Sequence, residues 1–188
     1  DITMGVMANP FYIDLGFSKA EIASVTKVYG LVMSILGAFL GGALVVRFGI
    51  MRPLMLGAVM VASTNLLFAV LSEIGADVGF LAVTISADNL SAGLAGSVFI
   101  AYLSSLTSTA YTATQYALFS SLMTLPGKFI GGFSGVMVDS VGYTSFFLYA
   151  AGVGLPAILL VVVLIHHARR VRTEENAYRA DPDAAAGR

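Results

Sequence analysis

The sequence predicts an all-α integral membrane protein built as a bundle of six helical segments. Three observations carry this: charged residues are scarce, apolar runs reach the length of a bilayer, and arginines gather in the gaps between those runs. Apolar residues make up 57% of the chain and charged ones 11%, against roughly 25% charged in an ordinary soluble domain. Crossing about 30 Å of hydrocarbon takes roughly 20 helical residues, and the charge-free stretches Val28 to Val46, Pro53 to Ser72 and Ser140 to Ala168 each supply one such helix.

In chain order the segments are expected near residues 1–13, 19–46, 53–72, 79–106, 113–138 and 144–167. The first would rise only about 20 Å as a helix, so it is read as truncated. The second opens at FSKAE, where Ser18 and Glu21 have capping-box spacing: the hydroxyl is placed for an early helical N–H, and the carboxylate can reach back. The third is read as nearly all aliphatic and aromatic. The stretch from Asn89 to Gly127 is about two spans long, and its middle, Thr107 to Gln115, is rich in Thr, Ser and Tyr, which divides it between the fourth and fifth helices. Pro126-Gly127 predicts a kink in the fifth. Beyond Ala168 the polar run RRVRTEENAYRADPDAAAGR is expected to be a flexible tail, residues 169–188. No signal peptide is expected, because Asp1 begins inside an apolar stretch without a basic segment before it.

Orientation follows from charge. Arg47, Arg52, Arg169, Arg170 and Arg172 lie on one side of the predicted bundle, and Asp14, Glu21, Glu73, Asp77 and Asp139 lie on the other with Lys19 alone among them. Positive charge favours the inside, which makes the arginine side and the C-terminus cytoplasmic. A net charge of −1 gives no footprint for nucleic acid. The absence of cysteine excludes disulfides and thiolate metal sites, and no cofactor is expected.

Chemistry is carried by polar groups within the apolar spans. Asp88, Lys128 and, less deeply, Lys27 fall inside predicted membrane segments. A charge at mid-bilayer costs about 2.5–3.5 kcal/mol even on permissive scales, so each needs a partner, a cavity or a proton equilibrium. An Asp88–Lys128 ion pair joining two helices would be the purely structural solution. The fourth helix also carries Thr84, Asn89, Ser91 and Ser97, and this face should meet protein or water. Small residues recur in Gly37-Ala-Phe-Leu-Gly41 and Gly131-Gly-Phe-Ser-Gly135, a spacing that lets helix backbones approach. Gly132-Phe133-Ser134-Gly135 is similar to the GxSG serine motif of rhomboid intramembrane proteases. That chemistry needs a histidine base within hydrogen-bond reach, and His166 and His167 are placed at the far end of the next helix, so the enzyme reading is set aside.

Five stretches, FYIDLGFSKAEIASVTKVYGL, LGAFLGGALVVRFGIMRPL, DNLSAGLAGSVFIAYLSSL, YTATQYALFSSLMTLPGKFIGGFSGVMVD and GYTSFF, resemble the AmpG muropeptide permeases, in order and across nearly all of residues 1–168. TATQYAL followed by SSL is the most specific. The resemblance implies the C-terminal six-helix bundle of a major facilitator superfamily transporter, with a missing N-terminal six-helix half as its partner. It implies import of N-acetylglucosaminyl-1,6-anhydro-N-acetylmuramyl peptides across the bacterial inner membrane by proton symport, in peptidoglycan recycling and the β-lactamase induction linked to it. It further implies substrate or proton-coupling roles for Asp1, Lys27, Asp88, Asn89, Gln115 and Lys128, with Asp88 and Asp1 as carboxylates able to load and release a proton. Asp88 and Asn89 would face a water-filled space with Lys128 close by. Gly42, Arg47, Gly49 and Arg52 would form a gating loop similar to the facilitator-wide motif, except that Val46 stands where the motif has an acidic residue. A carrier of another large polar metabolite, of the acetyl-CoA type, or a non-transporting membrane fragment are the alternatives to this reading.

Overall fold

The computed structural model describes residues 2–107 and 112–180, and among them there are helices and turns but no strand. α1 spans Ile2–Asp14 and ends in a Schellman motif: the Phe17 N–H donates to Tyr12 O (3.1 Å), and the N–H of Gly16, at φ +98°, donates to Ile13 O (3.0 Å). The accompanying apolar contact between the residue after the glycine and the last turn is made by Phe17 and Tyr12, both in one buried cluster. Ser18 then starts the next helix with the capping box read from the sequence. The Glu21 N–H donates to Ser18 Oγ (3.3 Å), and the Ser18 N–H donates to Glu21 Oε2 (2.9 Å).

That helix is continuous from Lys19 to Phe48 but not uniform. α2 (Lys19–Ser24) passes into a π-helical stretch, Val25–Gly30, before α3 (Leu31–Phe48). Thr26 Oγ1 donates to Ile22 O at 2.7 Å, a side-chain bond that competes with the α-helical ladder, and β-branched Val25, Thr26 and Val28 crowd the same turns. α4 (Met51–Ile74) carries Pro53 in its first turn, where a missing N–H leaves no helical bond unmade. Asp77 caps α5 (Val78–Leu106) by accepting from the Phe80 N–H at 2.7 Å.

α6 covers Thr112–Gly131. Its backbone stays helical through residues 126 and 127, where a kink was expected, and the chain turns instead at Gly132–Phe133. A glycine pair, Gly131-Gly132, supplies the conformational freedom at that point. α7 runs Ser134–Ala180, broken at Gly142, whose φ of +78° and ψ of +168° are open to glycine and strained for other residues. The helix continues to Ala180, past residue 169, where a flexible tail was expected; Ala, Glu and Arg in EENAYRA are good helix formers.

Among the described residues, four helices are long and apolar enough to cross a membrane: Lys19–Phe48, Met51–Ile74, Val78–Leu106 and Ser134–Ala168. The principal interfaces are α3 with α5 and α4 with α7; α4 and α5 join the two pairs, and α1 packs on α6 and α7. Two buried clusters divide the bundle. One is aromatic and lies where α1, α4 and α7 meet: Phe11, fully buried, has the Phe147 ring at 4.8 Å in an edge-to-face contact and the Tyr143 ring at 4.9 Å. It is stitched at its rim by Tyr143 Oη donating to Asp14 Oδ2 (2.5 Å) and Thr144 Oγ1 donating to Glu73 Oε1 (2.7 Å). The other, at the arginine end, is aliphatic and small: Leu54, Leu94, Val98 and Val161.

Candidate polar site on helix α5

α5 meets α3 through close-packed glycines, and it meets α4 through Gly57 beside Ala95 and through polar side chains. Against α3 there is no room for a side chain at three glycine positions. A Cβ on Gly37 would lie 2.2 Å from Leu90 O, and one on Gly93 would lie 2.2 Å from Ser34 O. Gly41 is equally constrained, with Ser97 Oγ 2.1 Å from where its Cβ would be. The Gly37/Gly41 spacing therefore does bring two backbones together. Gly135 does not, since among the described residues only Met7 Cε, at 3.9 Å, lies within 4 Å of its Cβ position.

This seam fixes the polar middle of α5. Asp88 is four residues from the centre of the helix, about 6 Å of rise, and is half-buried. Its carboxylate Oδ1 accepts from Thr64 Oγ1 of α4 at 3.4 Å, and the same hydroxyl lies 2.9 Å from Val61 O. A threonine hydroxyl has one proton, so it serves the carboxylate or the carbonyl, and which one depends on whether Asp88 carries a proton of its own. Tyr12 of α1, buried, lies within electrostatic range of Asp88. Asn89, the next residue, turns to α3: its Oδ1 accepts from Ser34 Oγ (3.0 Å) and its Nδ2 donates to Ile85 O (2.9 Å). It also rests on Gly30, the last residue of the π-helical stretch, whose Cβ position is 3.4 Å from Asn89 Nδ2.

Two further polar atoms lie in the same layer. Thr84, one turn before Asp88, and Asn65, beside Thr64, are both almost fully buried, and Thr84 Oγ1 and Asn65 Oδ1 have no hydrogen-bond partner among the described residues. Leaving such an atom unpaired costs about 1–3 kcal/mol, so packing alone does not account for the choice of these residues. Thr64, Asn65 and Ser34 were not picked out from the sequence. The signal was there in Ser63-Thr64-Asn65, a polar triplet at the centre of a helix read as aliphatic and aromatic.

The other predicted residues lie apart. Lys27 is exposed in the π-helical stretch and Lys128 is exposed in the last turn of α6. No ion pair joins Asp88 to Lys128, so among the described residues the two helices are not locked in that way. Gln115, in the first turn of α6, is half-buried and interacts with a neighbour. Asp1 lies outside the described residues. Arg47, Gly49 and Arg52 line a cavity of about 440 Å³ at the α3–α4 turn, with Ile165 and Ala168 of α7 on its far wall. Gly42 is on the outer surface of α3, with nothing within 4 Å of its Cβ position. Ser134 is buried at the start of α7, and about 36 Å of the same helix separates Gly142 from His166. No serine–histidine proton transfer is possible across that span.

A family model described as Major Facilitator Superfamily matches residues 1–186. Among curated proteins, the chain is 32% identical over 164 residues to "Putative transporter AmpG 4" of Rickettsia conorii, covering 87% of this chain and 40% of that protein. It is 33% identical over 162 residues to "Putative transporter AmpG 1" of Rickettsia bellii, covering 86% and 40% respectively. A Haemophilus influenzae protein whose name carries no function is 36% identical over 156 residues, covering 79% of this chain and 37% of its own length. The chain thus spans about 40% of the length of the first of these relatives, and the named ones are those that the resemblance in the sequence points to.

Proposed function

We propose that this chain, which belongs to the Major Facilitator Superfamily, forms the C-terminal six-helix half of a proton-coupled importer of anhydromuropeptides. The observation that carries the reading is the Asp88–Thr64–Val61 arrangement. It is a half-buried carboxylate whose one hydrogen-bond donor has a second acceptor within reach. Ionised, Asp88 holds the Thr64 proton. Protonated, its own O–H donates to Thr64 Oγ1, and Thr64 turns to Val61 O. Loading a proton thereby changes the bonds between α4 and α5 without leaving a polar group unpaired.

Asn89 conveys the same layer to the α2–α3 helix through Ser34 and Gly30. Lys27 and Lys128 supply cationic points for the peptide carboxylates of the substrate, and Asn89 and Gln115 supply amides for its sugar hydroxyls. In carriers of this type the substrate is held at the midplane between two halves, and access alternates as one half rocks on the other. The names of the relatives support transport by an AmpG-type carrier. The arginine side is read as cytoplasmic and the membrane as the bacterial inner membrane, with peptidoglycan recycling as the process served.

The test is uptake of labelled anhydromuropeptide in permease-deficient cells that express the full-length carrier or residues 1–188 alone. Full-length protein should accumulate label, with excess unlabelled anhydromuropeptide competing and acetyl-CoA failing to compete. The 1–188 chain should not transport. Competition by acetyl-CoA alone would reassign the substrate, and robust uptake by the short chain would end the half-carrier reading.

A further inference from the structure

We propose that the seam between α4 and α5 holds internal water at Thr84 Oγ1 and Asn65 Oδ1, and that this water exchanges protons with Asp88. The second part rests on Asp88 as the coupling carboxylate; the first stands without it. Thr84 is 0% exposed and Asn65 2%, and neither oxygen has a hydrogen-bond partner among the described residues. Atoms enclosed this fully by described helices are out of reach of any segment that packs on the outside of the bundle.

Helix register shows why no side chain meets them. Gly57 packs on Ala95 and Thr64 bonds to Asp88, an antiparallel register that brings Thr84, one turn before Asp88, level with Phe68. α4 also packs on α7, with the Cβ of Ala62 3.0 Å from the Cβ position of Gly154 and Ser72 Oγ 2.7 Å from Thr144 Oγ1. That register brings Asn65 level with Ala150 and Ala151, both buried. A phenyl ring and two methyl groups offer neither donor nor acceptor.

Interior water occupies such places, making about three hydrogen bonds to polar atoms that the protein leaves unpaired. Further partners are close. Thr84 stands one turn from Asp88 on the same face of α5, and Asn65 follows Thr64. The Asp88 carboxylate has about four acceptor positions and one hydrogen-bond donor among the described residues, Thr64 Oγ1. A water that gives a proton to the carboxylate takes one from the next hydrogen-bonded water, so no water is consumed and Asp88 becomes neutral. A metal ion fits less well, because no group of three or more His, Asp or Glu able to hold one occurs among the described residues. A sugar or peptide does not reach oxygens enclosed to this degree.

The experiment uses the full-length carrier in lipid and solid-state NMR in which magnetisation is transferred from water protons. The Thr84 signal, assigned by its loss in Thr84→Val, should build up from water at mixing times at which buried apolar residues such as Val98, 0% exposed, give none. Thr84→Ser keeps the hydroxyl and should keep the water. In thermal unfolding, Thr84→Val and Asn65→Leu should both lower the midpoint, because each removes a partner of bound water. Dry, unpaired oxygens predict the opposite sign, since an apolar replacement then relieves a buried polar group. In proton-driven uptake, Thr84→Val should lower the maximal rate several-fold with little change in KM, and Thr84→Ser should restore it. Absence of water transfer to Thr84, or higher midpoints in both apolar variants, would overturn the proposal. Water at Thr84 with an unchanged uptake rate in Thr84→Val would overturn the proton-exchange part. Proton coupling that survives in Asp88→Asn while the water signal persists would instead strike the reading of Asp88 and leave the water site standing.

Discussion

The two sides of α5 are packed to different degrees. Toward α3 the backbones are pressed together through Gly37, Gly41 and Gly93, and a polar pair crossing the seam, Ser34 with Asn89, is made at 3.0 Å. Toward α4 the backbones approach less closely, with the Cβ position of Gly57 3.0 Å from Ala95 Cα, and the polar contact is through side chains. There the carboxylate–hydroxyl bond is long at 3.4 Å, its donor has a second acceptor at 2.9 Å, and Thr84 and Asn65 are left with unpaired oxygens. In lipid, where helices gain little from hydrophobic association, close backbone packing holds a pair rigidly, whereas a polar seam with spare acceptors can change partners. The α3–α5 pair is the more tightly packed element, and on the proposed reading the α4–α5 seam is where a proton would alter the structure.

The largest effect should come from breaking the rigid side. Gly37→Leu or Gly93→Leu places a side chain where a carbonyl oxygen is already 2.2 Å away. The helices must separate, at a cost of about 3 kcal/mol or more. Thermal unfolding of the detergent-solubilised full-length carrier, followed by size-exclusion chromatography, should show a large loss of folded protein. Folded, active Gly93→Leu protein would mean that the seam is not rigid.

On the other side, Thr64→Val keeps the shape and removes the hydroxyl. Stability should shift by only about 1 kcal/mol, the scale of one hydrogen bond, while accumulation of substrate falls several-fold and exchange of substrate across the membrane persists. Accumulation at the wild-type level would remove Thr64 from the relay. Ser34→Ala should be milder still. It removes one donor from Asn89 and should cost about 1 kcal/mol in stability, with accumulation little changed, as uptake and unfolding assays on the same preparation would show. The smallest effect belongs to Gly135→Ala, where among the described residues only Met7 Cε comes within 4 Å of the Cβ position. Unfolding and uptake indistinguishable from wild type are expected, and a loss comparable to that of Gly37→Leu would show that small-residue spacing matters there too.

Those contrasts also mark what a single sequence discloses. Ser18 and Glu21 announce their capping box because both partners lie within one turn, and Gly37 and Gly41 announce a close approach by spacing alone. Gly131 and Gly135 carry the same spacing without the same packing at Gly135, because the partner helix decides whether a glycine is covered. The π-helical stretch Val25–Gly30 is not legible in the sequence. Its cause, Thr26 bonding to Ile22 O together with Gly30 seated against Asn89, combines a weak local preference with a distant contact. Likewise Asp88 stood out as a charge in an apolar span, but Thr64, 24 residues earlier in the chain, became its partner only once α4 lay antiparallel to α5. Proline at 126 predicts a kink, but the chain turns at Gly132–Phe133, beside a glycine pair.

The central claim is that Asp88 takes up the proton that travels with substrate. It is tested most directly by reconstituting the full-length carrier in vesicles without a pH gradient, adding anhydromuropeptide outside, and recording external pH and substrate entry together. Wild-type protein should draw protons inward with the substrate, so the medium turns alkaline as label enters. Asp88→Asn, which keeps an oxygen for the Thr64 hydroxyl but cannot ionise, should admit substrate down its gradient with no alkalinisation. The same proton movement per substrate molecule in the Asn variant would contradict the account.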